Sequence, residues 1–301
     1  MKTLSLVTLV LAAATLAAFL PASLATPPAA TTEVEYLFLP NWALDPLWDD
    51  GQAEVALYDA RRPQYGKVET YEAVFIVVKE DFDPQLHVKT DPPYDGKKLL
   101  PVLKLNAVHS YWTANYPYHF LVSVFVRRDD PTRLVKQTVG SQEWCGNTFK
   151  EVKTWGGQPQ LHFHSYFSGQ ADATRPLDLR PGDLLEDQLP LALRSLNFQP
   201  GAEVHRRILP SLISNNLRGS LDFVPSTITV APREEAIRTP AGRFLAWRVT
   251  VEMGNLRQTW WFEKEAPHTM LKMESSDGRS WTLKARTRQP YWRESTFHPK
   301  N

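Results

Sequence analysis

Only one cysteine, Cys145, occurs in the 301 residues. An internal disulfide is therefore excluded, and in an oxidising compartment the core alone must hold the fold. No cysteine follows the N-terminal apolar run, which excludes lipid attachment there. There is no Gly-rich phosphate loop, no nucleophile elbow and no Cys-x-x-Cys pair. The residue patterns of phosphate cradles, serine hydrolases and dithiol chemistry are thus missing. Long blocks of like charge are missing too. The densest groups, Arg127-Arg128-Asp129-Asp130 and Glu263-Lys264-Glu265, mix signs and read as solvated turn or strand-end charges. No repeat of fixed period and no low-complexity stretch is present.

What is there begins with a secretory pattern. Lys2 is the only charge before Glu33, residues 4–20 are almost unbroken apolar, Pro21 ends the run, and Ser23-Leu24-Ala25 offers a small-residue cleavage site. Cleavage after Ala25 is expected, with an uncleaved anchor as the alternative, since the run is near the short end of a bilayer span. The expectation is an exported protein, in the periplasm or else the medium, that is not integral to a membrane after cleavage. Cleavage removes Lys2 and no acid, leaving 33 basic and 33 acidic residues. That balance argues against nucleic acid or an anionic membrane as the main partner. Apolar residues make up 43%, enough for a folded core.

The expected organisation is a signal peptide at 1–25, a leader at 26–50, a single β-rich domain at 51–293 and a tail at 294–301. Within the domain, short β-branched and aromatic runs alternate with turn residues, which indicates antiparallel hairpins. Two hairpins have a readable register. A Gly156-Gly157 loop sets Val152 beside Leu161 on one face, with Cys145, Asn147, Phe149 and Glu151 opposite Ser168, Tyr166, His164 and His162 on the other. A three-residue Ser276-Asp277-Gly278 loop puts Leu271, Met273, Trp281 and Leu283 on one face and requires Gly278 in the left-handed conformation. One kinked helix is expected at 183–196, started by Asp183 and Glu186, striped with leucines and bent at Pro190.

Three sets of residues could carry chemistry. Cys145 could act as a nucleophile with His162 or His164 as base. Alternatively it is a small apolar residue on a half-buried strand, because an exposed thiol outside the cytoplasm invites oxidation. His162 and His164 share a strand face, and Glu151 lies opposite His162; two or three such groups do not complete a zinc site, and the plain alternative is a cross-strand pair. Trp260 and Trp261 are adjacent on a strand and must point to opposite faces, so the second face needs a cover: the helix, another sheet or a ligand. Asn147 and Tyr166 join them as candidate ligand contacts. No cofactor and no metal is expected.

The segments GSQEWCGNTFKEV and HSYFSG, with the later TPAGRFLAWRVTVE…TWWFEKEAPHTMLKMESSDGR, resemble a group of exported bacterial proteins of unknown function. The later run resembles the C-terminal half of a wider exported family with a Pro-Ala-Gly-x-Phe turn. The resemblance covers most of residues 51–293. It implies an open antiparallel sheet or half-barrel, comparable in shape to lipoprotein carriers, and lends no catalytic residues. The expected fold is mainly β: a curved antiparallel sheet or incomplete β-barrel with one kinked helix on the concave face. The expected function is non-enzymatic binding, in that concavity, of a lipid or other apolar or amphipathic ligand, or of an envelope protein. The alternative is an envelope hydrolase or transferase using Cys145 or His162 and His164.

Overall fold

The computed structural model describes residues 37–217 and 221–293. The expected signal peptide, the first part of the expected leader and the expected tail lie outside the described residues. Among the described residues no helix is long and apolar enough to cross a membrane.

The first half of the chain forms β1 (Ala53–Gln64), β2 (Lys67–Phe82), β3 (Leu100–Trp112), β4 (Pro117–Arg127), β5 (Leu134–Glu143), β6 (Gly146–Lys153), β7 (Gln160–Ser165) and β8 (Ala171–Pro176). The second forms β9 (Leu184–Leu185), β10 (Glu203–Leu209), β11 (Val224–Val230), β12 (Glu235–Thr239), β13 (Gly242–Met253), β14 (Leu256–Glu263), β15 (Met270–Ser275) and β16 (Ser280–Gln289). All belong to one sheet ordered β8-β7-β6-β5-β4-β3-β2-β1-β16-β15-β14-β13-β11-β10-β9, with β12 paired to β13. Every pairing is antiparallel except β9 with β10.

The two edges, β8 and β9, are consecutive in the chain and joined by residues 177–183. Laid flat, strands at the usual spacing would put these edges roughly 65 Å apart. The link spans at most about 25 Å. The sheet therefore curls into an incomplete barrel, the expected fold.

The predicted registers hold within the ladders, but the pairing of Cys145 with Ser168 is not formed, because the first ladder ends at Thr148 and Ser165. Val152 pairs with Leu161, Glu151 with His162 and Phe149 with His164. The loop at Gly156-Gly157 is wider than two residues, because pairing stops at Lys153 and Gln160. In the second hairpin Met273 pairs with Trp281, Gly278 has φ +90°, and Leu271, Met273, Trp281 and Leu283 are all buried. β8, β9 and β12 are not anticipated from sequence: β8 is mostly exposed, β9 has two residues, and β12 is half exposed.

The 183–196 segment fills the concave side, where the sequence puts it, but it is not one helix. A 3-10 turn at Glu186–Gln188 leads into a helix of one turn and a second 3-10 turn at Leu193–Ser195. Pro190 lies in the first turn of that short helix, where a missing N–H costs nothing, so it starts the element instead of kinking it. Asp183 accepts from the Arg180 amide at 2.8 Å and pairs with Arg207, and so does not cap the segment. Every residue from Asp183 to Leu196 is buried, polar ones included. A segment buried on all sides is a core plug, each leucine contributing roughly 2 kcal/mol through burial.

The plug runs from one rim of the sheet to the other. The upper rim carries the β1–β2, β3–β4, β5–β6 and β7–β8 turns. The lower rim is sealed by residues 37–50, which the sequence assigns to the leader. They form a short helix (Asn41–Leu44) and a 3-10 turn (Pro46–Asp49) that bury Trp42 and Trp48. There Arg194 makes two 2.8 Å bonds to Glu54, also donates to the Pro267 carbonyl, and lies against both indoles. Burial alone would raise the Glu54 pKa, but the Arg194 charge and hydrogen bonds outweigh it and hold it below the ordinary value.

Candidate functional site

The inward face of the sheet changes character along its strands. In the middle it is aliphatic, with Val77, Leu103, Leu105, Val122 and Val124 buried. Toward the upper rim the same alternate positions carry His109, Tyr111, Tyr118, Glu143, Lys150 and Gln258, all buried. Buried polar groups cost stability unless partnered, so this belt has to be wired.

The wiring centres on two plug carboxylates. Glu186 accepts from Gln258 and Arg279, each at 2.7 Å, and from the Ser211 amide at 2.8 Å. Asp187 accepts from the Ser211 hydroxyl at 2.6 Å, Gln137 at 2.7 Å and the Leu212 amide at 2.9 Å. Burial, and then the neighbouring Glu186 charge, raise the Asp187 pKa. Behind them His109 takes part in a 3.0 Å bond between its Nδ1 and the Tyr71 hydroxyl. Burial, reinforced by the charges of Arg62 and Arg279, pushes the His109 pKa down to about 3, so the imidazole is neutral. Its Nε2 is buried and has no partner. It borders a void of about 20 Å³ shared with Glu186, Asp187, Trp260 and Trp281. That is room for about one water, so the concave face is essentially full.

Open space lies above the plug, at the upper mouth. Residues 210–217 cross it and are held by Lys150, whose buried ammonium donates to the carbonyls of Leu212 (2.9 Å), Ser214 (3.0 Å) and Asn216 (2.8 Å), and to the Ser214 hydroxyl (2.8 Å). Burial pushes the Lys150 pKa down to about 8, against the pull of Asp187. On one side of this loop is a cleft of about 590 Å³, floored by Glu186 and Arg279 and walled by Ile213, Val224, Met253 and Leu256. On the other is a pocket of about 270 Å³. Arg62 lines both. Its guanidinium donates to the Ile213 carbonyl and lies 5.4 Å from the Phe120 ring centre. Among the described residues it has no carboxylate at ion-pair distance, whereas Arg279 has Glu186 and Asp277.

The residues singled out from sequence lie elsewhere. Cys145 is exposed in the β5–β6 turn, so the expectation of a half-buried strand position fails: pairing ends at Glu143 and Gly146 and leaves the thiol outside. His162 and His164 are on the outer face of β7. His162 meets Thr174 at 3.1 Å and Asp172 at 3.6 Å, while Glu151 pairs with Lys136 at 3.0 Å. His164 pairs with Phe149, four residues along β6 from the cysteine, roughly 13 Å at the usual strand rise. The three are not brought together. Among the described residues no three His, Cys, Asp or Glu side chains are grouped to hold a metal.

Trp260 and Trp261 do point to opposite faces. Trp260 is buried against the plug side, donating to Gln258 at 3.2 Å. Trp261 is outside, where Glu235 accepts from its indole and the Lys272 ammonium lies 4.9 Å from its ring. Side chains of the chain itself therefore supply the cover on both faces. Asn147 and Tyr166 face outward near the upper rim, Tyr166 67% exposed.

Arg62, His109, Lys150 and the Glu186-Asp187 pair are what the residue patterns did not flag. Lys150 and Thr148 share a face with Val152 in the predicted register, so their inward placement was implicit. Arg62 carries no pattern of its own in the sequence and is set at the upper rim because β1 continues to Gln64.

No family model, no curated protein and no solved structure matches the chain.

Proposed function

We propose that the protein is an exported ligand-binding protein, not an enzyme, and that it takes an amphipathic anion at its upper mouth. The observation that carries this reading is Arg62, a half-buried cation that has no carboxylate at ion-pair distance among the described residues and stands at the junction of two open pockets. The Ile213, Val224, Met253 and Leu256 side chains beside it offer an apolar wall for a chain. Ligand sites combine such walls with a few convergent polar groups. The seat is the mouth, since the plug occupies the concavity itself.

Calorimetric titration of the full chain with decanoate tests this. Saturable binding with a negative heat-capacity change is expected. Arg62→Ala should weaken it about tenfold or more, the worth of a hydrogen bond to a charged group. Absence of saturable heat with both decanoate and decyl phosphate would sink the reading.

A further inference from the structure

The smaller mouth pocket has a different chemistry from the cleft. Tyr65 and Phe167 supply its accessible aromatic surface, Phe120 being buried beneath the Arg62 guanidinium, and Gln64 and Asn216 supply amide groups, the Ser214 hydroxyl being taken up by Lys150 and the Asn216 carbonyl. A side-chain amide both donates and accepts, so these groups suit a ligand whose edge groups do both. Aromatic faces suit a ligand whose broad faces are C–H. A pyranose ring has both properties, with apolar C–H faces and hydroxyls around its rim. A pocket of about 270 Å³ sits near the small end of the ligand-site range and suits one ring better than a long chain.

Two further observations point the same way. Tyr65 is 64% exposed in the β1–β2 turn while its hydroxyl is tied to Tyr118, so the ring is held in place with much of its surface uncovered. On neighbouring upper turns Trp144 and Tyr166 are 71% and 67% exposed, and the Tyr166 ring packs edge-on against Phe167. Among the described residues Arg62 is the one cation lining the pocket, and no acid lines it.

We infer that the small mouth pocket is a saccharide subsite that takes a sugar ring bearing an anionic group, the ring against Tyr65 and Phe167 and the anion on Arg62. The inference shares Arg62 with the reading above and otherwise deepens it: an amphipathic ligand of this mouth would carry its sugar in the small pocket and its chain in the cleft. The same chemistry could come from a free acidic saccharide or from the head of a glycolipid.

Saturation-transfer NMR and calorimetry on the full chain separate these sources, using glucuronate, octyl glucuronide and decanoate as probes. Glucuronate should bind saturably and octyl glucuronide at least tenfold more tightly if the ligand is a glycolipid; equal affinities point to a free saccharide. Tyr65→Asn, which suits the residue's φ of +51°, should weaken glucuronate at least fivefold and leave decanoate unchanged. Phe167→Leu, which keeps apolar volume and removes the ring, should act in the same direction, guarding against a local folding defect in the first variant. Glucuronate that fails to bind, or binds equally well to both variants, overturns the inference. If decanoate binds in that case, the amphipathic reading survives. Glucuronate binding without decanoate binding keeps the subsite and removes the chain.

Discussion

The two rims of this sheet solve opposite problems with similar residues. At the lower rim a buried arginine, Arg194, is matched by Glu54, a carbonyl and two indoles, and the end is closed. At the upper rim Arg62 has, among the described residues, the Ile213 carbonyl and the Phe120 ring but no carboxylate, and the end opens into two pockets. An arginine inside a barrel does not by itself mark a site; what separates the two is whether the chain supplies the counter-charge. The lower rim reads as a staple and the upper as a socket.

The largest effect is expected from breaking the staple. Glu54→Gln leaves Arg194 buried without its counter-ion and should destabilise the fold by about 3–5 kcal/mol, seen in chemical denaturation. Because the folded Glu54 pKa lies below its ordinary 4.5, the wild-type contribution is fully present above that pH and is lost as pH falls through the folded value. The variant should lack this component. If Glu54→Gln unfolds at the wild-type denaturant concentration, the contrast between the rims collapses.

Lys150→Met tests the clasp over the socket. It removes the ammonium donor shared by the carbonyls of Leu212, Ser214 and Asn216, so a loss of about 2 kcal/mol and new proteolytic cleavage within 210–217 are expected. The pH dependence has a definite sign. Between about 8 and the ordinary 10.5 the unfolded chain holds the Lys150 proton more firmly than the folded one. This residue therefore adds stability as pH rises through that window, and the variant should not show it. An uncut loop would mean that the clasp is redundant.

A smaller effect tests the upper turns. Gly278→Ala places a Cβ 3.0 Å from the Pro63 ring at a φ of +90°, and should cost about 1 kcal/mol or more in thermal denaturation. The smallest concerns Cys145. A thiol reagent should modify it completely in the native protein, and Cys145→Ser should change stability by less than about 0.5 kcal/mol, as for other exposed positions. Slow labelling that requires unfolding would place the β5–β6 turn inside the fold.

Much of the barrel wall was legible because alternation is a local property. The Val152–Leu161 and Met273–Trp281 pairings follow from turn length and side-chain period alone. The 183–196 leucines announced a buried element in the same way. Its form was less legible: whether Glu186, Asp187 and Gln188 sit on a helix depends on partners such as Gln258, Gln137 and the Thr132 carbonyl, which lie far away in sequence. The candidate site was hardest to read. Cys145 and the two histidines stand out as residue types, yet the turn and the strand face send them outward. Arg62 and Lys150 look ordinary in sequence and acquire meaning only from what surrounds them.

The sequence by itself determined most of the strands, the faces of two hairpins and a buried leucine-rich crossing, because each depends on neighbours a few residues apart. Only the tertiary structure decided that the crossing plugs the concavity, that residues 37–50 seal one end and that the open space lies at the other. Those outcomes depend on which charged side chains meet across the barrel, and no local pattern encodes that pairing.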